Sequence, residues 1–238
     1  MTWSIVAHDP QTGAFGVAVT TKFFAVGALC PHAAANAGAL ATQALVNPTW
    51  GPRGIAMLKD GVPAASVMER LVASDQGRET RQLHLVDRHG GTAQHTGRDC
   101  IGWCGHKAGD GFSVAGNMLA GEAVIDATHA TFVASAKPFA ERLIDALDAG
   151  QAQGGDKRGK QSAALVVFTT EDYPALSLRV DDHAEPLAEL RRLYDLSQGR
   201  FAAFSKFMAT RENPSGVWDR SVIEAEAQRL EKLQQEAR

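Results

Sequence analysis

The sequence predicts an α+β protein in which two antiparallel sheets pack face to face, with helices outside them. Segments with a strand pattern come mostly in pairs joined by short turns, whereas helical segments come in blocks. Several strand segments are nearly continuous in apolar residues, which is typical of strands covered on both faces. A doubly wound parallel sheet would alternate strand and helix along the chain, so that class is not favoured.

The first fifty residues predict four strands. Residues 2–8 alternate between two faces, and turn residues at 9–13 lead into a second apolar run at 15–20. The segments 23–29 and 38–45 are nearly continuous in apolar residues and predict two more strands. The apolar continuity of these last two indicates that layers cover both of their faces.

The rest of the chain predicts helices in blocks and further strand pairs. Pro63 suits a first helical turn, and Pro138 is expected to divide a long helical stretch. Helices are predicted at 51–61, 63–72, 121–149, 184–207 and 221–237, and strands at 82–86, 92–96, 111–117, 162–168 and 176–180. The final helix has a thin apolar stripe, which fits either a solvated helix packed by one face or a dimer contact.

The composition is that of an ordinary globular protein. Its 238 residues carry 24 Lys and Arg against 27 Asp and Glu, which gives no general electrostatic reason to bind nucleic acid or an anionic membrane. Three cysteines are too few for a disulfide scaffold. The sequence has no apolar run of about 20 residues and no signal-peptide pattern, so we expect a cytoplasmic protein.

Thr2 is the residue with the clearest chemical potential. A small residue after the initiator methionine permits removal of that methionine, which would leave a threonine at the start of a strand. Its free amine, with an ordinary pKa of about 7.7–8.0, could then take the proton from its own hydroxyl. If the methionine stays, Ser4 or Thr2 needs another base. His8 lies on the same strand face, but too far along the strand to serve both equally.

Several blocks of sequence between residue 4 and about residue 165 are distinctive. They are SIVAHDP, FGVAV, FFAVG, ATQALVNPTWGPRG, FSVAGNMLAG and GGDKRGKQSAAL. Together they closely resemble the DUF1028 family, and the stretch VDDH with the helix after it extends the likeness to about residue 195. That family is grouped with the N-terminal nucleophile (Ntn) hydrolases. The resemblance therefore implies a four-layer αββα sandwich of two antiparallel sheets, but no substrate.

The resemblance also implies a domain organisation and a site. An Ntn-hydrolase-like domain is expected at 1–183, with a helical C-terminal extension at 184–238 packed on it. Thr2 matches the nucleophile, and Lys22 is the nearest match in sequence order to the cation that many Ntn hydrolases hold beside it. Lys22 also fits a plain surface lysine at a strand end. Asn117 is expected to donate to the oxyanion, to cap the following helix, or to do both.

A glycine-rich basic loop at 154–162 is the second candidate region. Asp156, Arg158, Gln161 and Ser162 are its candidate binding residues, because Arg158 can clamp an acidic group of a substrate with two hydrogen bonds. The alternative is a mobile, solvated loop. The next polar cluster, at 181–183, fits a helix N-cap flanked by charge better than an acid–base pair.

Cys100, Cys104 and His106 suggest a zinc site, with Cys30 or His32 as outside ligands. Structural zinc usually takes two matching pairs of ligands, and the sequence has one pair, so we predict no metal. His106 is instead expected to line a pocket or to be a structural polar residue. Phosphate-loop, dinucleotide and serine-elbow motifs are missing from the sequence, so no cofactor is expected.

These observations together predict a hydrolase that cleaves a C–N amide bond in a small metabolite or a peptide fragment. Thr2 would attack the carbonyl, and Asn117 with backbone N–H groups would hold the oxyanion. The alternative is a non-catalytic protein that binds a small ligand or peptide in the same fold. A third possibility is an assembly scaffold that uses the C-terminal helices. The expected partners are a small-molecule or short peptide substrate and a second copy of the chain in a homodimer.

Overall fold

The computed structural model describes residues 2–236, and the chain divides into two compact units after Leu190. The larger unit contains ten strands and four complete helices among its described residues. The strands are β1 Thr2–Asp9, β2 Ala14–Thr21, β3 Pro31–Ala34, β4 Gly38–Ala44, β5 Arg81–Asp87, β6 Thr92–Thr96, β7 Trp103–Gly109, β8 Phe112–Leu119, β9 Ser162–Phe168 and β10 Leu176–Val180. The helices are α1 Trp50–Lys59, α2 Ala64–Ala73, α3 Glu122–Ala134 and α4 Phe139–Ala152.

The strands form two antiparallel sheets. The first has six strands in the order β10-β9-β2-β1-β8-β7, and the second has four in the order β3-β4-β5-β6. The two sheets pack on each other through β1, β2, β8 and β9 on one side and β3, β4 and β5 on the other. Helices α1 and α2 cover the outer face of the four-stranded sheet, and α3 and α4 cover that of the six-stranded sheet. The predicted α+β fold with two antiparallel sheets is confirmed, and its layers run helix, sheet, sheet, helix.

Small and β-branched side chains form the core between the sheets. Val6, Val17 and Val19 of the six-stranded sheet meet Ala41 and Val86 of the other, and all five are fully buried. A second core lies under α1 and α2, where leucines of β4 and β5 pack on the helices. Burial on both faces explains why β1 and β2 carry so few exposed residues. The two central strands are therefore rigid supports for whatever lies at their ends.

The segment 23–29 differs from its prediction as a strand, and that prediction is wrong. The chain leaves the sheet after Thr21, adopts a left-handed backbone at Ala25 (φ +53°) and forms a short 3₁₀ turn at Val26–Ala28. The amide of Ala25 donates to the carbonyl of Asp181, and the amide of Val26 to the hydroxyl of Ser162. Because these bonds hold the segment in a turn, its aromatic residues are exposed instead of buried.

The predicted division of the long helical stretch at Pro138 is confirmed. Pro138 separates α3 from α4, as expected, because it immediately precedes the first residue of α4. Strand β7 was not predicted. It lies at the edge of the six-stranded sheet, and its lysine, histidine and glycine residues lack the apolar alternation of a buried strand.

The remaining helices follow the last strand. Helix α5, Pro186–Leu196, continues into a π-helical turn at Ser197–Phe201 and helix α6, Ala202–Lys206, and α7 spans Arg220–Glu236. The unit that begins at residue 191 contains ion pairs that join Arg200 to Glu224 and Lys206 to Glu226. The sequence-based boundary at 183 lies seven residues before the observed division, and packing of the extension on the domain stays a prediction. Within residues 2–236, no helix has the length and apolar character needed to cross a membrane.

Candidate functional site

Thr2 begins β1 in the interior of the six-stranded sheet. It lies directly opposite Thr21 at the end of β2 and opposite Asn117 near the end of β8. Because side chains alternate along a strand, Thr2 and Ser4 share the face of β1 that points to the four-stranded sheet. The Thr2 hydroxyl donates to the Thr21 hydroxyl, with 3.1 Å between the two oxygens, and Thr2 is 8% exposed. The predicted nucleophile is thus held in one orientation at the end of a rigid strand.

Two cavities open beside this end of β1. The smaller cavity has a volume of about 80 Å³ and is lined by Thr2 together with Val26 and Cys30. The larger cavity, of about 280 Å³, is lined by residues that include Asn117. Ala44, the last residue of β4, lines both cavities, which therefore adjoin at this residue. Thr2 thus lines one of two adjoining cavities, and Asn117 lines the other.

Backbone strain is concentrated around the same cavities. Four non-glycine residues in the described part of the chain have a left-handed backbone, and Ala44 (φ +68°) and Met118 (φ +55°) line the cavities. A third, Ala25, lies in the turn whose residue Val26 lines the smaller cavity. Such conformations cost of order 1–3 kcal/mol each and cluster at functional sites. The strain is an independent reason to treat this end of the sandwich as the candidate site.

A chain of buried amides lies between the two sheets behind Thr2. The Gln43 side chain nitrogen donates to the Gln82 side chain oxygen (2.8 Å), and the Asn117 nitrogen donates to that same oxygen (3.0 Å). Gln43 also donates to the carbonyl of Ala115, and Gln82 to that of Gly116, so both amides are anchored on β8. All three side chains are buried and paired. The chain fixes the orientation of the Asn117 amide.

Ser4 and His84 continue this buried polar chain. The Ser4 hydroxyl donates to the Gln43 oxygen (2.7 Å) and lies 2.7 Å from Nε2 of His84, while Nδ1 of His84 lies 3.2 Å from the Ser113 hydroxyl. Because the Ser4 hydroxyl donates its hydrogen to Gln43, it can only accept a hydrogen bond from His84. The proton of the neutral His84 ring is therefore on Nε2. Burial, with a smaller effect from His106, lowers the pKa of His84 to about 3, so the ring is neutral.

Asn117 has the predicted position beside Thr2. Its side chain nitrogen donates to Gln82 at 3.0 Å and, with a longer contact of 3.4 Å, to the backbone carbonyl of Thr2. The longer contact is the weaker of the two. Helix α3 begins after Gly121 and has no side-chain cap, so the alternative role of Asn117 as a helix cap is wrong. Its role toward an oxyanion stays a prediction.

The Lys22 ammonium lies at the 154–162 loop. It donates to the carbonyl of Lys160 on the exposed side of the 154–162 loop (3.3 Å), whereas the described partner of the Thr2 hydroxyl is Thr21. The Lys22 backbone amide instead donates to the buried carboxylate of Asp156 (2.8 Å). Lys22 is therefore brought to this end of the sheet by its backbone, and its side chain resembles the surface lysine of the alternative interpretation.

Asp156 ties the glycine-rich loop to the ends of β2 and β8. Its carboxylate accepts the Arg158 amide (2.8 Å) and pairs with the Arg158 guanidinium (3.3 Å), in addition to the Lys22 amide. The neighbouring amide of Ala120 donates to the carbonyl of Gly155. The carboxylate is almost completely buried, so these charge-assisted bonds are the strong kind. Asp156 supports the loop, and a binding role for Asp156 or Arg158 stays a prediction.

Gln161 and Ser162 hold the strand ends next to the site. The backbone amide of Gln161 donates to the carbonyl of Thr21 (3.0 Å). The Ser162 hydroxyl is buried, donates to the carbonyl of Phe23 (2.5 Å) and accepts the amide of Val26. These bonds shape the turn that lines the smaller cavity. Both residues are adjacent to the site, and their predicted contact with substrate is untested.

His106 joins the site through the amide chain. Its Nδ1 lies 2.9 Å from the Thr96 hydroxyl, which also accepts from Gln82 (2.9 Å). Burial and the nearby His95 lower the pKa of His106. The Cys100 thiol donates to the carbonyl of Arg81. Within residues 2–236 no three His, Cys, Asp or Glu side chains are grouped as a metal site would require.

Thr21, Gln43, Gln82 and His84 are site residues that the sequence analysis missed. A polar side chain within a strand can face solvent or another sheet, and the sequence pattern does not distinguish the two. The sequence contains one useful sign, because Thr42 and Gln43 lie within an apolar strand segment whose faces were both predicted to be covered. A buried polar residue in such a strand needs a partner.

The chain belongs to the DUF1028 family, described as a family of unknown function, whose model matches residues 2–190. It is similar to protein SPO2555 from Silicibacter pomeroyi, whose crystal structure carries the same family assignment. The two are 32% identical, with a TM-score of 0.86, and the similarity covers 92% of this chain and 96% of that one. No curated protein matches the chain. The family is thus established, and the site must be interpreted from its own chemistry.

Proposed function

We propose that this protein is an N-terminal nucleophile hydrolase that cleaves a C–N amide bond in a small metabolite or a peptide fragment. The observation that carries the proposal is the position of Thr2, which lines a cavity at the end of a central strand. The layered αββα architecture supports it, because this is the architecture of the Ntn hydrolases. The strained backbone around the cavity supports it as well.

The proposed reaction needs a free amine on Thr2. After removal of the preceding residue, the neutral amine takes the hydroxyl proton, and Oγ1 bonds to the substrate carbonyl carbon. The C–N bond then breaks, and the amine leaves with the proton that the Thr2 amine returns. A water molecule hydrolyses the resulting ester in the same way, which releases the acid and regenerates Thr2. Each step uses only the chain, the substrate and water.

Asn117 is the proposed donor to the oxyanion. Gln82 engages one hydrogen of its amide at 3.0 Å, and the other makes the 3.4 Å contact with the Thr2 carbonyl. A developing negative charge would compete well for this second hydrogen, because charge-assisted hydrogen bonds are stronger than neutral ones. Gln82 prevents the amide from turning away, so the donor costs little reorganisation at the moment of reaction.

The second candidate function is non-catalytic binding of a small ligand in the same cavities. The position of the Lys22 ammonium favours it, because the described contact of this group is with the carbonyl of Lys160 in the exposed loop. Under this alternative Thr2 is a polar wall residue, and its amine plays no role. The two functions differ in whether the residue before Thr2 is removed.

Two measurements test the proposal. Intact mass of protein made in its native host should correspond to a chain that begins at Thr2. A screen of small amides should find one that the wild type hydrolyses, that Thr2→Ala does not, and that Thr2→Ser still does. Thr170→Ala, an exposed threonine, is the matched control and should keep full activity. A retained methionine, or equal turnover by Thr2→Ala, would show that the protein is not an Ntn hydrolase.

A further inference from the structure

We infer that the smaller cavity binds a short aliphatic acyl group, so that the substrate is an amide of a short-chain aliphatic acid. This inference rests on the proposed function, because it names the group that would be presented to Thr2. It concerns the cavity of about 80 Å³ that Thr2, Val26 and Cys30 line. The larger cavity beyond Ala44 would then hold the amine side of the substrate.

The walls of the smaller cavity are apolar or neutral. Val26 and Cys30 are buried and form its inner wall with Thr42, while Phe23 and Leu29 lie at its mouth. None of the described residues that line it is charged. Burial raises the pKa of the Cys30 thiol, so that group is neutral too. An apolar wall of this kind favours burial of an apolar group.

The polar groups of the wall are already satisfied by the protein. The Thr42 hydroxyl donates to the carbonyl of Asn47 (3.3 Å). The Gln43 oxygen accepts from Ser4 and from the Cys30 thiol, and its nitrogen donates within the buried amide chain. A polar acyl group would lose its hydration and gain no partner in exchange. The cavity therefore selects against hydroxylated, amino or carboxylated acyl groups.

The volume of the cavity limits the size of the group. An apolar cavity of about 150 Å³ holds one benzene molecule. The present cavity, at about 80 Å³, has roughly half that volume. A short linear or branched chain has this size, and a fused aromatic system does not.

The mouth of the cavity is also surrounded by apolar side chains. Phe23 is 55% exposed, Phe24 61% and Leu29 37%, although large apolar side chains are normally buried. All three belong to the turn that Ser162 holds in place through the carbonyl of Phe23 and the amide of Val26. An apolar patch around a small cavity is typical of a ligand-binding surface. The turn thus exposes apolar residues at the point where an aliphatic chain would enter.

A series of p-nitroanilides tests the inference, with acetyl, butyryl, isovaleryl, octanoyl and succinyl as the acyl groups. We expect kcat/KM to rise roughly fourfold for each methylene that enters the cavity, and to fall again at octanoyl. Succinyl, close to butyryl in length but charged, should react at least about 100-fold more slowly. Val46→Ala enlarges the cavity at a half-buried wall residue and should shift the optimum to longer chains. Val72→Ala, a half-buried valine on α2, is the control and should leave the optimum unchanged.

A binding measurement separates this inference from the proposed function. Isovalerate and succinate are titrated into Thr2→Ala and followed by NMR, with Val46→Ala in the same background. Hydrolysis with a preference for succinyl, or a profile that Val46→Ala does not change, would overturn the inference and leave the hydrolase standing. In a second outcome, no amide is hydrolysed, isovalerate binds selectively, and Val46→Ala alters that binding. This outcome would refute the hydrolase and support the acyl-binding cavity. Neither hydrolysis nor isovalerate binding would overturn both.

Discussion

The hydroxyl of Ser4 and Nε2 of His84 lie 2.7 Å apart in the gap between the two sheets. A serine next to a neutral histidine is the pair that a serine hydrolase uses, yet both residues are completely buried. The Ser4 hydroxyl is also committed to Gln43. The pair is therefore a structural bridge between the sheets, and Thr2, which borders a cavity, is the better candidate nucleophile.

The pH dependence of stability should report the buried imidazole of His84. Its pKa is about 3 in the folded protein against an ordinary value of 6.5, so between these values the unfolded state binds more protons. The free energy of unfolding should therefore fall as the pH falls from 6.5 toward 3, by at most about 1.4 kcal/mol per pH unit from this residue. Urea unfolding of wild type and His84→Gln at pH 7 and pH 5 measures this loss of stability.

The control for this experiment is His89→Gln, because His89 is an exposed histidine. This variant should keep the wild-type loss of stability between pH 7 and pH 5, whereas His84→Gln should lose a smaller amount. An equal loss in all three proteins would show that His84 does not carry a depressed pKa.

Removal of the amide of Gln82, which is completely buried, should cost more stability than removal of the amide of Gln94, which is half-buried. Gln82 accepts from Gln43 and Asn117 and donates to Gly116, so Gln82→Met leaves buried groups unpaired and should cost about 3 kcal/mol or more. Gln94→Met is the matched control, because the buried Gln94 nitrogen has no partner in the described structure. This second change should be neutral or stabilising. Chemical denaturation measures the free energy of unfolding of both variants. Equal losses of stability would contradict the proposed importance of the amide chain.

Asn117→Ala separates catalysis from stability at the same residue. Loss of one oxyanion donor should lower kcat about 10²- to 10³-fold, with KM much less affected. The Gln82 oxygen loses one of its two donors, which should cost about 1–3 kcal/mol of stability. Steady-state kinetics on the substrate found in the amide screen, alongside urea unfolding, give both values. A stability loss with unchanged kcat would remove Asn117 from the catalytic machinery.

The buried carboxylate of Asp156 should control the order of the glycine-rich loop. Asp156→Asn keeps the shape but removes the charge that strengthens the bonds from Lys22 and Arg158. We expect faster tryptic cleavage within 157–160, measured by limited proteolysis and mass spectrometry. Asp110→Asn, a change at an exposed turn residue, should cleave at the wild-type rate. If both variants match the wild type, Asp156 does not anchor the loop.

The sequence predicted the elements whose burial is uniform. The first hairpin follows from alternation in β1 and from turn residues between Asp9 and Gly13, and Pro138 divides the helices where its missing amide requires. The segment 23–29 was mispredicted for an informative reason. Its apolar residues are exposed around a cavity, and an apolar run gives no sign of whether it is buried or borders a binding site.

The candidate site was only partly predictable. Thr2 could be found because its chemistry depends on its position in the chain, and Asn117 because of its sequence block. The partner of Asn117 could not be found, because Gln82 meets it only through the packing of two different sheets. Lys22 is the opposite case. It is close to Thr2 in the sheet, but its side chain extends to the loop, and sequence order gives no information on that direction.

Ala44 illustrates a tension between folding and selectivity. Its left-handed backbone at φ +68° would be relaxed by glycine, which avoids a penalty of about 1–2 kcal/mol for a side chain in that conformation. Yet Ala44 borders both cavities, so the loss of its methyl group would change the wall of each. A thermostable redesign with glycine at this position would gain robustness and widen the space beside Thr2. Engineers who wish to broaden the range of accepted molecules should therefore begin with that single methyl group.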